Sequence, residues 1–270
     1  MNKLEKRMNE MKSAGKKALI AYLTAGDPSL GVSAKLLNAL AENGADVIEL
    51  GVPFSDPLAD GPVLQASAAR ALAAGTTLDD VFLLANGFCK KFSTPVVLLA
   101  YYNSIYRRRV FQFCREAAEA GISAIVVPDL PYEEAGRLDL AAESTGLINI
   151  RFLAPTTTEN RMISICKSSA GFIYCVTVTG VTGGCSLLDP GMLTLLANAR
   201  KYTEVPLALG FGISTPEQAA AAAAAADAVI VGTALVRQIE NINDPTEKSF
   251  AAGRFINSLK RAIEGVQHIA

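Results

Sequence analysis

Glu49 stands at the carboxyl-terminal end of an apolar run, Val47-Ile48-Glu49-Leu50-Gly51. A carboxylate among Val, Ile and Leu loses hydration. Its pKa rises toward neutrality, which suits a group that must both give and take a proton. The plainer alternative is a structural Glu paired with a lysine or a backbone donor. Eleven residues on comes Asp60, in the loop Val52-Pro53-Phe54-Ser55-Asp56-Pro57-Leu58-Ala59-Asp60-Gly61-Pro62. Its three prolines narrow the conformations open to the loop, so ordering it costs less entropy. Asp56 before Pro57 reads as a turn former. Asp60 before Gly61-Pro62 reads as a turn former or as the N-cap of the next helix. From there Asp60 can reach the same pocket as Glu49.

Three glycine-rich stretches follow apolar runs later in the chain: Gly180-Val181-Thr182-Gly183-Gly184, Gly210-Phe211-Gly212 and Gly232-Thr233. Glycine lets backbone N–H groups come close to phosphate oxygens, and a helix start adds a favourable dipole. Tight turns without a ligand are the alternative. The segment Thr177–Asp189 is expected to act as a lid. Tyr174, Tyr101 and Tyr102 lie at or near strand ends and offer aromatic surface with a hydroxyl, though core packing explains each equally well. Arg107-Arg108-Arg109 reads as a solvated face. The single histidine, His268, lies two residues from the last. Histidine triads and His-ligated zinc are therefore set aside, and proton chemistry falls to carboxylates, Tyr or Lys. No metal cluster is expected.

Eight apolar runs must position these groups: Leu19–Leu23, Val47–Leu50, Val96–Tyr101, Ala124–Val127, Ile148–Phe152, Phe172–Val176, Leu207–Leu209 and Ala228–Val231. Continuous rather than alternating apolar character predicts strands buried on both faces, hence parallel pairing. Helical patterns separate them, ending at Gly44, Gly75, Gly121, Gly146 and Gly171. Eight such units fit an α/β (β/α)₈ TIM barrel formed by residues 1–270 as a single domain. A doubly wound open sheet is the runner-up, but Thr24-Ala25-Gly26-Asp27-Pro28 lacks its glycine fingerprint. In a barrel the active site lies at the carboxyl ends of the strands, where Glu49 stands. Leu4, Met8 and Met11 predict an amphipathic N-terminal capping helix. Thr215-Pro216-Glu217-Gln218 predicts a helix start for the alanine run behind it.

A net charge of −1 over 270 residues argues against nucleic acid or an anionic membrane as the main partner. No apolar run reaches the roughly 20 residues of a membrane span. Five scattered cysteines without a C-x-x-C pair predict a reduced, cytoplasmic setting.

The run Ile48-Glu49-Leu50-Gly51-Val52-Pro53-Phe54-Ser55-Asp56-Pro57-Leu58-Ala59-Asp60-Gly61-Pro62 closely resembles the signature of the tryptophan synthase alpha chain family. Tyr22-Leu23-Thr24-Ala25-Gly26-Asp27-Pro28, Val127-Pro128-Asp129-Leu130-Pro131, Thr179-Gly180-Val181-Thr182-Gly183 and Gly210-Phe211-Gly212-Ile213-Ser214 match the same family in the same order. The resemblance implies a TIM-barrel lyase that cleaves indole-3-glycerol phosphate to indole and glyceraldehyde 3-phosphate in tryptophan biosynthesis. It implies Glu49 as the proton-transfer residue and Asp60 as the group facing the indole N–H. Tyr174 and Tyr22 would contact substrate. Gly183, Gly212, Gly232 and Thr233 would hold phosphate, and Thr182 would meet Asp56 or Asp60 on lid closure. It implies no cofactor in this chain, and a beta chain partner carrying pyridoxal phosphate in an α₂β₂ complex. Docking is expected at Pro53–Asp60 and near Asn103 and Pro128. A stand-alone indole-releasing lyase and a non-catalytic activator subunit are the alternatives. A phosphosugar isomerase on the same barrel would lack the match around Glu49 and Asp60.

Overall fold

The computed structural model describes residues 1–176, 190–210 and 212–266. Eight strands, β1 (Ala18–Thr24), β2 (Val47–Gly51), β3 (Val96–Leu99), β4 (Ala124–Val126), β5 (Ile148–Leu153), β6 (Ile173–Val176), β7 (Leu207–Gly210) and β8 (Ala228–Val231), pair in chain order. All pairings are parallel, and β8 closes on β1 with Ala18 opposite Ala228. The result is the (β/α)₈ barrel expected of eight doubly buried apolar runs.

Alternate residues of each strand serve two cores. Leu19, Ala21 and Leu23 of β1 face outward and pack with Leu36, Leu37 and Leu40 of the helix Leu30–Glu42. Ala18, Ile20 and Tyr22 face inward and meet Val47, Val97, Ala124 and Phe172. Leu4, Met8 and Met11 of the helix Lys3–Ser13 join this inner core and close the amino-terminal mouth of the barrel. Asn2 caps that helix in a reciprocal box with Glu5. Its side-chain amide also donates to the carbonyls of Ser123 and Gly146, at 2.8 Å each, which pins the plug to the barrel floor.

Seven of the eight strand ranges differ from expectation by one or two residues at one or both ends, and two of the differences concern tyrosines. β3 stops at Leu99, because Tyr101 becomes the N-cap of the helix Tyr102–Arg107 and Asp129 accepts the N–H of Tyr102 at 2.8 Å. β6 starts at Ile173, so Tyr174 is its second residue. The five helix-ending glycines all have positive φ, between 71° and 105°. Thr215 and Gln218 form a capping box on Pro216–Ala225, and Ala219, Ala222 and Ala223 are its buried face. Arg108 pairs with Asp79 and Glu116 at 2.5 and 2.6 Å, as a solvated charged face would. Among the described residues, no helix is long and apolar enough to cross a membrane, and no group of His, Cys, Asp and Glu could hold a metal.

Candidate active site

Inward alternation on β2 points Val47, Glu49 and Gly51 into the barrel, with Glu49 opposite Tyr22 of β1 and Val97 of β3. Glu49 is 1% exposed, and neither carboxylate oxygen has a hydrogen-bond partner. Burial first, and the nearby Asp60 charge second, push its pKa up to about 8. Among the described residues Arg151 Nε is also buried without a partner, but Arg151 pairs with Asp139 through Nη2. A glutamic acid unpaired on both oxygens is a candidate for binding a ligand or moving a proton.

The structure brings Asp60 beside it. The loop after β2 folds back through Asp60 N–H to the Pro57 carbonyl at 2.9 Å. Asp60 is a turn residue: the N-cap of the next helix, Pro62–Ala73, is Gly61, with Pro62 in its first turn. Burial raises the Asp60 pKa to about 6, against a Tyr101 hydrogen bond that favours the ionised form. The Tyr101 hydroxyl also accepts the Ala59 N–H at 3.0 Å, and its ring stacks on Phe54 at 5.2 Å and 18°. Tyr101 thus ties three residues of the loop. Sequence reasoning noted it only as aromatic surface at a strand end. No local signal in the sequence marks these loop partners, which meet Tyr101 only in the folded barrel. Asp56 is exposed and accepts from Ser55 Oγ at 2.5 Å, as a turn former does.

Two tyrosines complete the inner wall. The Tyr22 hydroxyl lies 3.2 Å from Thr24 Oγ1, and its ring covers Gly51, where a Cβ would collide with it. Tyr174 lies over Gly210 of β7, where a Cβ would come within 2.5 Å of its ring. It packs against Phe152 at 5.1 Å. Burial pushes both phenols above their ordinary range, and the Glu49 and Asp60 charges add to it. Across Tyr22 stands Gly232, whose own Cβ would sit 3.3 Å from Tyr22 Cβ. Gly232 is the N-cap of the helix Thr233–Ile239. Gly212, with φ +79°, follows β7. Thr182, Gly183 and the expected lid lie outside the described residues.

Beside Asp60 a cavity of about 570 Å³ opens toward β4 and β5, lined by Ala59, Val127, Pro128, Ile150 and Phe152 among others. That volume suits a small organic molecule. Asp60 lines this cavity, while Glu49 lies buried in the barrel wall behind it, and the environments of the two carboxyl groups set their pKa values apart. Near pH 7 Glu49 keeps its proton while Asp60 is largely ionised. Such a pair offers an acid and an anion to one ligand.

Comparison with known proteins agrees with this geometry. The family model described as tryptophan synthase alpha chain matches residues 8–264. The tryptophan synthase alpha chain of Citrifermentans bemidjiense is 44% identical over 263 residues, covering 97% of this chain and 98% of that protein. That of Synechocystis is 46% identical over 264 residues, covering 97% and 100%. The crystal structure of tryptophan synthase subunit alpha from Legionella pneumophila superposes with a TM-score of 0.90 at 38% identity, covering 98% and 100%. The chain belongs to the tryptophan synthase alpha chain family.

Proposed function

We propose that this chain cleaves indole-3-glycerol phosphate to indole and glyceraldehyde 3-phosphate by acid–base retro-aldol chemistry at Glu49 and Asp60. The observation that carries the proposal is the buried, unpartnered Glu49 with a pKa near 8, facing Asp60. Glu49, protonated, delivers its proton to C3 of the indole ring, and the ring becomes a cationic iminium. Asp60, ionised, faces the ring N–H and stabilises that charge in a site where water is scarce. Glu49, now a carboxylate, takes the proton of the glycerol hydroxyl next to the bond to C3. As the carbonyl forms, the C–C bond breaks, and its electrons return to the ring and neutralise the nitrogen. Glu49 ends protonated, ready for another cycle.

Tyr22 and Tyr174 would flank the indole and the glycerol carbons. By resemblance, Gly183, Gly212, Gly232 and Thr233 would hold the phosphate, and Thr182 would meet Asp56 or Asp60 on lid closure. Carboxylates alone supply the proton steps, so the chain itself needs no cofactor for them. The partner would be a beta chain carrying pyridoxal phosphate, in an α₂β₂ complex in the cytoplasm. Leu58, 91% exposed on the loop that carries Asp60, supports docking there. The four described cysteines are free thiols, which supports a reducing compartment.

Indole release by the purified chain, assayed with and without a beta partner, tests the proposal. Slow release alone and much faster release in the complex is the expected result. Equal rates would assign a stand-alone lyase. No release in either state would leave an activator subunit and overturn the catalytic reading.

A further inference from the structure

We infer that Asp27 and Arg70 are positioning residues that fix the distance between Asp60 and the Gly232–Thr233 turn, and with it the length of substrate the site accepts. The inference rests on the proposed reaction, in which ring and phosphate occupy those two places. Asp60 lies just ahead of the helix Pro62–Ala73, and Gly232 heads the helix Thr233–Ile239. These two helices pack on each other and on β1. Behind their heads, a charged pair ties the first of them to the loop after β1.

Asp27, in that loop, accepts Nε and Nη2 of Arg70 at 2.8 and 2.7 Å and Ser67 Oγ at 2.5 Å. Ser67 and Arg70 both belong to the helix that follows Asp60. The forked guanidinium contact fixes orientation as well as distance. Gly26, beside Asp27, has φ +85°, and a Cβ there would collide with Thr76, just past that helix. The loop therefore grips the helix along its length.

The second helix is held from behind by the last helix, Pro245–Glu264. Lys248, buried, donates to the carbonyl of Ile239, its last residue, at 2.6 Å. Asp27, Arg70 and Glu240 all act electrostatically on Lys248, and Glu240 also acts on Arg70. The Asp27–Arg70 fork thus anchors one, and Lys248 the other, of two packed helices whose starts carry the two halves of the proposed substrate site. A one-piece ligand that bridges both halves senses that offset, and an unlinked fragment does not. Misplacement of about 1 Å far from the reacting atoms is enough to lower catalysis by up to about 10²-fold.

The experiment measures dissociation constants by calorimetry for three probes: indole, inorganic phosphate, and a non-cleavable analogue joining an indole ring to a phosphate through a three-carbon chain. Arg70 is 38% exposed, so Arg70→Met is expected to fold. It should hold each fragment within about twofold of the unaltered chain but bind the joined analogue about tenfold more weakly, with kcat/KM falling in parallel. Arg70→Lys, which keeps the charge and loses the fork, should fall between, and it carries the same comparison if the Met variant does not fold. Unchanged affinity for the joined analogue overturns the inference. So does equal weakening of all three probes, which would mean a general loss of structure. If the unaltered chain binds the joined analogue no better than the fragments, the proposed substrate itself fails, and that shows before any variant is made.

Discussion

Asp46 and Glu49 lie three residues apart, the first just ahead of β2 and the second at its middle, and both are 1% exposed. Their surroundings are opposite. Asp46, at the closed end, accepts the Leu19 N–H at 2.7 Å, Lys260 Nζ at 2.7 Å and Arg7 Nη2 at 2.6 Å. It joins the first two strands to the N-terminal plug and to the last helix, Pro245–Glu264. Glu49, further toward the open end, has no partner on either oxygen. One short stretch therefore buries one carboxylate with full compensation and another with none. Burial alone does not distinguish structure from function; satisfaction does. At the amino-terminal end of this barrel a buried carboxylate is paired for stability, and further along toward the carboxyl-terminal end, where barrel active sites lie, one is left without a partner.

The sharpest way to break the comparison is to remove each carboxylate in turn. Glu49→Gln should reduce indole release by at least about 10³–10⁴-fold, since in the proposed reaction one group serves two proton transfers. It should leave melting unchanged or raise it, because no partner loses a contact. Activity within a few-fold of the parent would take Glu49 out of the mechanism. Asp46→Asn should do the reverse. It leaves buried Lys260 without its counter-charge and should cost about 3 kcal/mol of stability by denaturant titration. Turnover per folded molecule should change less than about threefold. A large loss of turnover at full stability would show that the two ends are not separable.

The pH dependence of stability sharpens the same contrast. Below about pH 4.5 Glu49 is protonated in both folded and unfolded chains and contributes no pH dependence. Between about 4.5 and 8 the unfolded chain ionises it while the folded chain keeps the proton. Stability is therefore lost as pH rises through that window, by up to about 1.4 kcal/mol per pH unit from this one group. In Glu49→Gln that slope should be missing, so the variant gains on the parent steadily from pH 5 to 8. Parallel stability curves across the window would mean that Glu49 titrates near its ordinary value.

Much of this was legible in the residue order, for a physical reason. Eight doubly buried parallel strands must be apolar throughout, so the barrel was written in composition. A lone Glu inside such a run is conspicuous for the same cause. Asp60 was visible as a candidate, but its place as a turn residue ahead of a Gly61 cap depends on how Pro57 and Pro62 bend the loop. Tyr101 and the Asp27–Arg70 pair were not recognised, since their partners lie 42 and 43 residues away. No local pattern encodes which distant backbone N–H a tyrosine will meet. The fit of Gly51 under Tyr22 and of Gly210 under Tyr174 likewise exists only once β1 has paired with β2 and β6 with β7.

Tyr101 gives the finest test, because its effect passes through Asp60 and not through Glu49. Its hydroxyl hydrogen-bonds the Asp60 carboxylate and favours the ionised form, partly offsetting burial. Tyr101→Phe removes that stabilisation while keeping the ring that stacks on Phe54. The Asp60 pKa should then rise above its present value of about 6. If Asp60 acts as an anion and Glu49 as an acid, the rate profile is bell-shaped. The acid limb follows Asp60 near 6 and the alkaline limb follows Glu49 near 8. The substitution should move only the acid limb upward, narrowing the bell; losing one hydrogen bond to a charged group, about 1.5–3 kcal/mol, raises the Asp60 pKa by about 1–2 and lowers kcat at pH 7 by about two- to tenfold through its smaller ionised fraction. Loss of the Ala59 contact adds a smaller effect on KM through the loop. A shift of both limbs would mean that the two carboxyl groups titrate as one coupled pair. No shift of either limb would show that Tyr101 holds the loop but does not tune Asp60, and the acid limb would then have to be assigned to another group.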